Sequence, residues 1–215
     1  MIYYPSYYDT EPKENPISYL RFFNASPDIK EIDVYSDDKT IVKKLKFKEF
    51  TEYIPLKSGM YRIRIYESSS KKQPIIDGNV FLPPKKIFTA AAAGYLHDIS
   101  LKLINDEIKK IHKGMAMVRF SNLSPNSPPL DLYLPNGKKI FSNTDYEEAE
   151  GYITINPKEY RYDIKASATD KIILKVPNVR IQGDKIYTIY VIGLLNEKPP
   201  LQVVIPLDGN TYLKF

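Results

Sequence analysis

Few residues in this chain could carry chemistry, and the best placed of them is a histidine beside an acid. His97-Asp98 has the order in which a carboxylate could orient an imidazole for base catalysis. The only other histidine is His112. Neither is joined by a serine in a strained elbow, a glycine-rich phosphate loop or a zinc-binding His pair. The chain has no cysteine, which excludes thiolate nucleophiles, disulfides and Cys-ligated metals. Asp28, Asp33, Asp37 and Asp38 offer hard oxygen ligands, but not at the spacing of a calcium loop. Lys43, Lys44, Lys46 and Lys48 surround Leu45 and Phe47 in a basic, partly aromatic run. Such a run can track single-stranded nucleic acid, but it equally serves as charged protection of an edge strand, and the second reading is preferred. These patterns predict no enzyme, no cofactor, no metal and no nucleic-acid partner.

What must position such residues becomes visible in a duplication. Residues 19–35 and 117–133 share a pattern at a constant offset of 98. It pairs Arg21 with Arg119, Asn24 with Asn122, Ser26 with Ser124 and Pro27 with Pro125. Asp33 pairs with Asp131 and Tyr35 with Tyr133. Farther on, residues 79–94 match 178–193 at an offset of 99. A period near one hundred residues is the size of a domain. Within each copy, apolar and polar residues alternate with period two, as in Tyr61, Ile63 and Ile65 or Tyr160, Tyr162 and Ile164. Turn signals recur every 8–12 residues, among them Ser26-Pro27-Asp28 and Asn136-Gly137. The expected fold is all-β: two tandem immunoglobulin-like antiparallel β-sandwich domains of about seven strands each.

The boundaries follow. Residues 1–16 form a Tyr/Pro-rich N-terminal tail, 17–104 the first sandwich, 105–114 a linker and 115–215 the second sandwich. Ile104, Ile108 and Ile111 fall at helical spacing, so the linker is expected to hold one short helix. Asn24-x-Ser26-Pro27 and Asn122-x-Ser124-Pro125 are expected to close turns onto the backbone rather than to carry glycans. Asp33 and Asp131 are expected to accept N–H bonds from the neighbouring Ser-Pro turn. One difference between the copies stands out: Ala90, Ala91, Ala92 and Ala93 replace Ile189-Tyr190-Val191-Ile192. The missing volume must be filled from elsewhere. Phe50, which aligns with Ala149, is one source; docking of Tyr3, Tyr4, Tyr7 and Tyr8, or of the linker, over the alanine strand is another.

Charge adds modest limits. The net charge of +5 is distributed as −2 in the tail, +6 through residues 17–113 and +1 beyond. Lysines outnumber arginines 25 to 6, unlike proteins that read bases or phosphates with guanidinium forks. No apolar run approaches the roughly 20 residues of a membrane helix. The first residues lack a basic segment followed by an apolar one, so no secretory signal is visible. Cytoplasmic synthesis with later spore or envelope association is the expectation.

Arg21, Ala25, Ser26, Pro27 and Asp28, then Asp33-Val34-Tyr35, then Tyr53, Gly59 and Tyr61 resemble the bacterial domain of unknown function 4397 family. Copy two departs at Leu123, Asn126 and Lys158-Glu159. The resemblance implies Ig-like sandwiches, common in secreted or envelope proteins, without catalytic residues. The sequence is therefore read as a non-enzymatic interaction or structural module of the cell envelope or spore surface, its partner a protein or surface polymer. The alternative is a carbohydrate- or surface-polymer-binding module, which would show a shallow aromatic cleft in at least one copy.

Overall fold

The structure, a computed structural model, describes residues 16–70 and 72–214. The tail tyrosines Tyr3, Tyr4, Tyr7 and Tyr8, and with them the proposed tail docking, lie outside the described residues. The first repeat holds β1 (Ile17–Asn24), β2 (Glu31–Ser36), β3 (Lys39–Lys46), β4 (Ile54–Lys57), β5 (Gly59–Glu67), β6 (Ile76–Leu82), β7 (Ile87–Ala93) and β8 (Ser100–Asn105). The second holds β9 (Ala116–Asn122), β10 (Leu130–Tyr133), β11 (Lys139–Thr144), β12 (Ile153–Ile155), β13 (Lys158–Ala166), β14 (Ile172–Ile181), β15 (Ile186–Ile192) and β16 (Gln202–Val204).

Each repeat is a sandwich of two four-stranded sheets, and the two topologies correspond strand for strand. The orders are β4-β1-β7-β8 with β3-β2-β5-β6, and β12-β9-β15-β16 with β11-β10-β13-β14. Two details differ from expectation. There are eight strands per repeat, because β4 and β12 are only four and three residues long and carry too little alternation to stand out. The sheets are not wholly antiparallel: β1 runs parallel to β7, and β9 parallel to β15. Nor does the linker form a helix; among the described residues, 106–113 have none. Ile104 already belongs to β8 and is buried, while Ile108 is exposed, so the helical stripe has no face to bury.

Alternation builds the cores. Leu20, Phe22, Ile32, Val34, Ile63 and Ile65 meet Ala90 and Ala92 in the first sandwich. Val118, Phe120, Leu130, Leu132, Tyr162 and Ile164 meet Ile189 and Val191 in the second. Yet β7, β9 and β15 are buried at every residue, unlike a sheet with one wet face. The reason is a third apolar cluster between the repeats: Phe23, Ala25, Ala91, Ala93 and Ile104 pack with Leu123, Tyr190 and Ile192. The sheets containing β1-β7 and β9-β15 therefore lie outer face to outer face, so the described residues form four stacked sheets and three apolar layers.

Candidate functional site

At the centre of this inter-repeat layer sits a buried set of polar side chains that repeats itself with exchanged partners. Arg21 of β1 donates from Nε to Thr89 Oγ1 at 2.8 Å, from one Nη to the Leu207 carbonyl and from the other to Asp208 at 2.8 Å. Arg119 of β9 donates from Nε to Thr188 Oγ1 at 2.7 Å, from one Nη to the Asn105 carbonyl and from the other to Asp106. Each aspartate is held by its own repeat. Asp106 accepts from Thr89 and Tyr53, each at 2.7 Å; Asp208 accepts from Thr188 and Tyr152, each at 2.6 Å. Each arginine thus reaches the carboxylate of the opposite repeat, which gives a crossed clamp with approximate two-fold symmetry.

The local sequence explains the placement. Parallel pairing sets Arg21 opposite Thr89 and Arg119 opposite Thr188 on the faces that look away from each core. The backbone N–H groups of Asp106 and Asp208 donate to Ile87 and Ile186, and this holds both carboxylates beside the parallel pair. Tyr53 and Tyr152 also lie under the guanidinium groups, 4.6 and 4.7 Å from Arg21 and Arg119.

The four charged side chains are at most 3% exposed. Burial works against the charge on Arg21, but the Tyr53 and Tyr190 hydroxyls and both carboxylates outweigh it and raise its pKa. Arg119 is raised for the same reason, chiefly by Asp208. Burial, reinforced by the neighbouring carboxylates, also pushes the Tyr53 and Tyr152 hydroxyls well above the usual tyrosine range. All four side chains are paired and desolvated, and Arg119 and Tyr152 also line a groove at the edge of the layer. Such pairing fastens the two repeats to each other.

The duplicated motif now has assigned places. Asn24 Oδ1 accepts from the Ser26 N–H and Asn122 Oδ1 from the Ser124 N–H, which closes the strand exit before Pro27 and Pro125. Ser26 and Ser124 donate to the carbonyls of Gly94 and Gly193 at 2.7 Å. Gly193 is required there: its φ is +81°, and a Cβ would lie 2.3 Å from the Pro200 carbonyl oxygen. Asp33 and Asp131 do not bond the Ser-Pro turn. Asp33 accepts from the Lys44 N–H and Ser68, and Asp131 from the Asn143 N–H, Ser167 and Lys139. Lys44 and Asn143 have φ near +55° at bulges of β3 and β11, so these carboxylates pin a bulge instead. Adjacent strands lie closer to the aspartates than the turn does.

The alanine strand is covered from both sides. Ala90 and Ala92 face their own core, and Ala91 and Ala93 meet Tyr190 and Ile192 of the second repeat. Phe50 stacks on Phe23 at 3.8 Å and lies 5.8 Å from Tyr190. Their counterparts Ser121 and Ala149 are small, and a groove lined by Lys102, Glu107, Glu147, Glu150 and the clamp residues Arg119 and Tyr152 opens on that side. Its acids are engaged by Lys109, Ser100 and Thr144.

His97 stacks on Tyr95, lies 4.0 Å from Asp98 and is exposed. Lys43, Lys44 and Lys46 are exposed on the edge strand β3, and Phe47 packs against the inter-repeat cluster. Among the described residues no group of His, Asp and Glu is arranged to hold a metal. The outer face of β2 and β5 carries a shallow notch lined by Tyr35, Asp38, Arg64 and Tyr66. The rings of Tyr35 and Tyr66 are 5.3 Å apart and nearly perpendicular, at 80°. Arg64 pairs with Asp38. At the corresponding place in the second repeat, Tyr133 is flanked by Lys139 at 5.3 Å and Lys165 at 4.6 Å.

One family model matches residues 18–133 and 116–212, two segments that follow the two sandwiches. The chain belongs to the family called Domain of unknown function (DUF4397). The resemblance read from the motif is thereby borne out, in two DUF4397 copies. No curated protein matches the chain. Among solved structures, the Bacillus anthracis TIE protein is 13% identical, with 87% of this chain and 34% of that chain covered and a TM-score of 0.26. This DUF4397 tandem thus spans about a third of that protein's length. A CBM26 module of Eubacterium rectale Amy13K, solved in complex with maltoheptaose, is 9% identical, with 90% and 99% covered and a TM-score of 0.28. Likenesses this loose say nothing of a ligand.

Proposed function

We propose that this DUF4397 tandem is a non-enzymatic interaction module of the bacterial cell envelope or spore surface, in which two sandwiches act as one rigid body. The observation that carries the reading is the crossed clamp. Two flexibly linked domains would keep polar, solvated faces between them. Here two arginines, two aspartates, two threonines and Tyr53 are instead buried, with Tyr152 half-buried beside them, in a hydrogen-bonded network next to an apolar layer. A network of this kind fixes one geometry, because any other arrangement leaves buried charges unpaired. A fixed spacing of two outer faces suits a component that presents surfaces to a protein or polymer, and not an enzyme that must open and close.

The test is co-sedimentation of the purified chain with isolated cell envelopes, comparing wild type with the Arg21→Ala/Arg119→Ala double variant. The wild type is expected in the pellet and the loosened variant largely in the supernatant, with near-native circular dichroism for both. Equal sedimentation of a variant shown to have mobile domains would refute the need for rigidity. Absence of the wild type from the pellet would refute the envelope reading.

A further inference from the structure

We propose that the notch between Tyr35 and Tyr66 on the first sandwich is a binding subsite for one ring of a neutral surface glycan. The inference rests on the reading of the chain as an interaction module and names a ligand class for one of its faces.

Register brings the parts together. Tyr35 on β2 stands opposite Arg64 on β5, and Tyr66 stands opposite Asp33, so both rings and the guanidinium share the face turned away from the core. The β2-β3 turn runs through Asp37 and Asp38 with φ of +44° and +68°, and this bend sets Asp38 against Arg64. The result is a right-angled aromatic corner with a donor and an acceptor at its edge.

That combination matches a pyranose. The C–H face of a sugar ring lies against an aromatic wall, and neighbouring hydroxyls, each both donor and acceptor, accept from a guanidinium and donate to a carboxylate. The Asp38 side chain is 87% exposed, so its remaining acceptor capacity faces water. The charges of Arg64 and Asp38 offset each other, as do those of the neighbouring Arg62–Asp77 pair at 2.7 Å. Charge balance therefore favours a neutral glycan over an anionic polymer. Asp163 and Lys165 occupy the places of Arg64 and Tyr66 in the second repeat, where lysines cover Tyr133. The second repeat therefore lacks both the second ring and the guanidinium at this place.

The experiment is an amide chemical-shift titration of the full chain with three neutral hexasaccharides: cellohexaose, maltohexaose and chitohexaose. At least one should give saturable shifts centred on Tyr35, Asp38, Arg64 and Tyr66, unchanged between ~50 and ~500 mM salt. Tyr66→Ala and Asp38→Ala should each weaken that binding about tenfold or more, and Tyr133→Ala should leave it unaltered. Asp38 is exposed, so its variant tests the site without touching the core. The subsite is overturned by no saturable shift with any of the three, by shifts centred elsewhere, or by wild-type affinity in both notch variants. A response only to polyglycerol phosphate, lost at high salt, overturns it as well. Normal envelope sedimentation by Tyr66→Ala would remove the subsite and leave the module reading intact. Loss of sedimentation by wild type would remove the module reading itself.

Discussion

At the scale of the residue, the clamp shows why a buried charge is better evidence of specificity than of stability. Replacing a whole ion pair by apolar groups is often neutral, whereas removing one partner strands the other in a low-dielectric interior. Arg119→Ala is therefore expected to lower the unfolding free energy by about 3–5 kcal/mol in urea denaturation. Asp106→Ala added to it should cost much less than its separate effect, a non-additivity a double-mutant cycle measures. Tyr53 and Tyr152 give the clamp a pH limit. Their folded pKa values lie above the unfolded value of about 10, so their contribution is complete below that pH and is lost as pH rises beyond it. Alkaline unfolding should begin above about pH 10 and be eased in Tyr53→Phe/Tyr152→Phe. Asp131 behaves oppositely. Burial opposes its charge, but bonds from Lys139, Ser167 and the Asn143 N–H outweigh burial and hold it below the usual carboxylate range. Its contribution is present above about pH 4 and is lost as pH falls further, so Asp131→Asn should flatten the acid limb of the stability profile.

At the scale of the element, divergence between two copies of one strand has made their faces complementary. Copy one is large at Phe23 and Phe50 and small at Ala91 and Ala93; copy two is small at Ser121 and Ala149 and large at Tyr190 and Ile192. Tyr190 thus fills the volume the alanines vacate, 5.3 Å from Phe23. Tyr190→Ala should open a cavity and cost about 3–5 kcal/mol. Ala91→Leu should overpack the same layer and cost about 1–3 kcal/mol, both read from denaturation midpoints. Period-two alternation and paired turns made the strands and the duplication legible from residues alone. It did not show which outer faces were wet, because alternation with a buried polar residue looks the same as alternation with an exposed one. Arg21 and Arg119 were singled out only as repeated residues. Asp106 and Asp208 carried no signal, since they fall where the copies' offset changes and the spacing is no longer constant. One available hint is the run Ile186–Ile192, apolar except for Thr188, which a strand with one wet face does not need.

At the scale of the whole molecule, the claim is that two duplicated sandwiches have become one body. Their cores are separate, but a third apolar layer and the crossed clamp join them outer face to outer face. The linker is tied to the second repeat as well, through the Asn105 and Lys109 carbonyls and the Gly114 N–H, which bond Arg119, Asn210 and Asp184. The most direct measurement is a set of backbone residual dipolar couplings from both repeats of the full chain in solution. A single alignment tensor should fit the two repeats together, with the orientation seen here, and Arg21→Ala/Arg119→Ala should require two tensors of different magnitude. Two independent tensors for the wild-type chain would contradict the account.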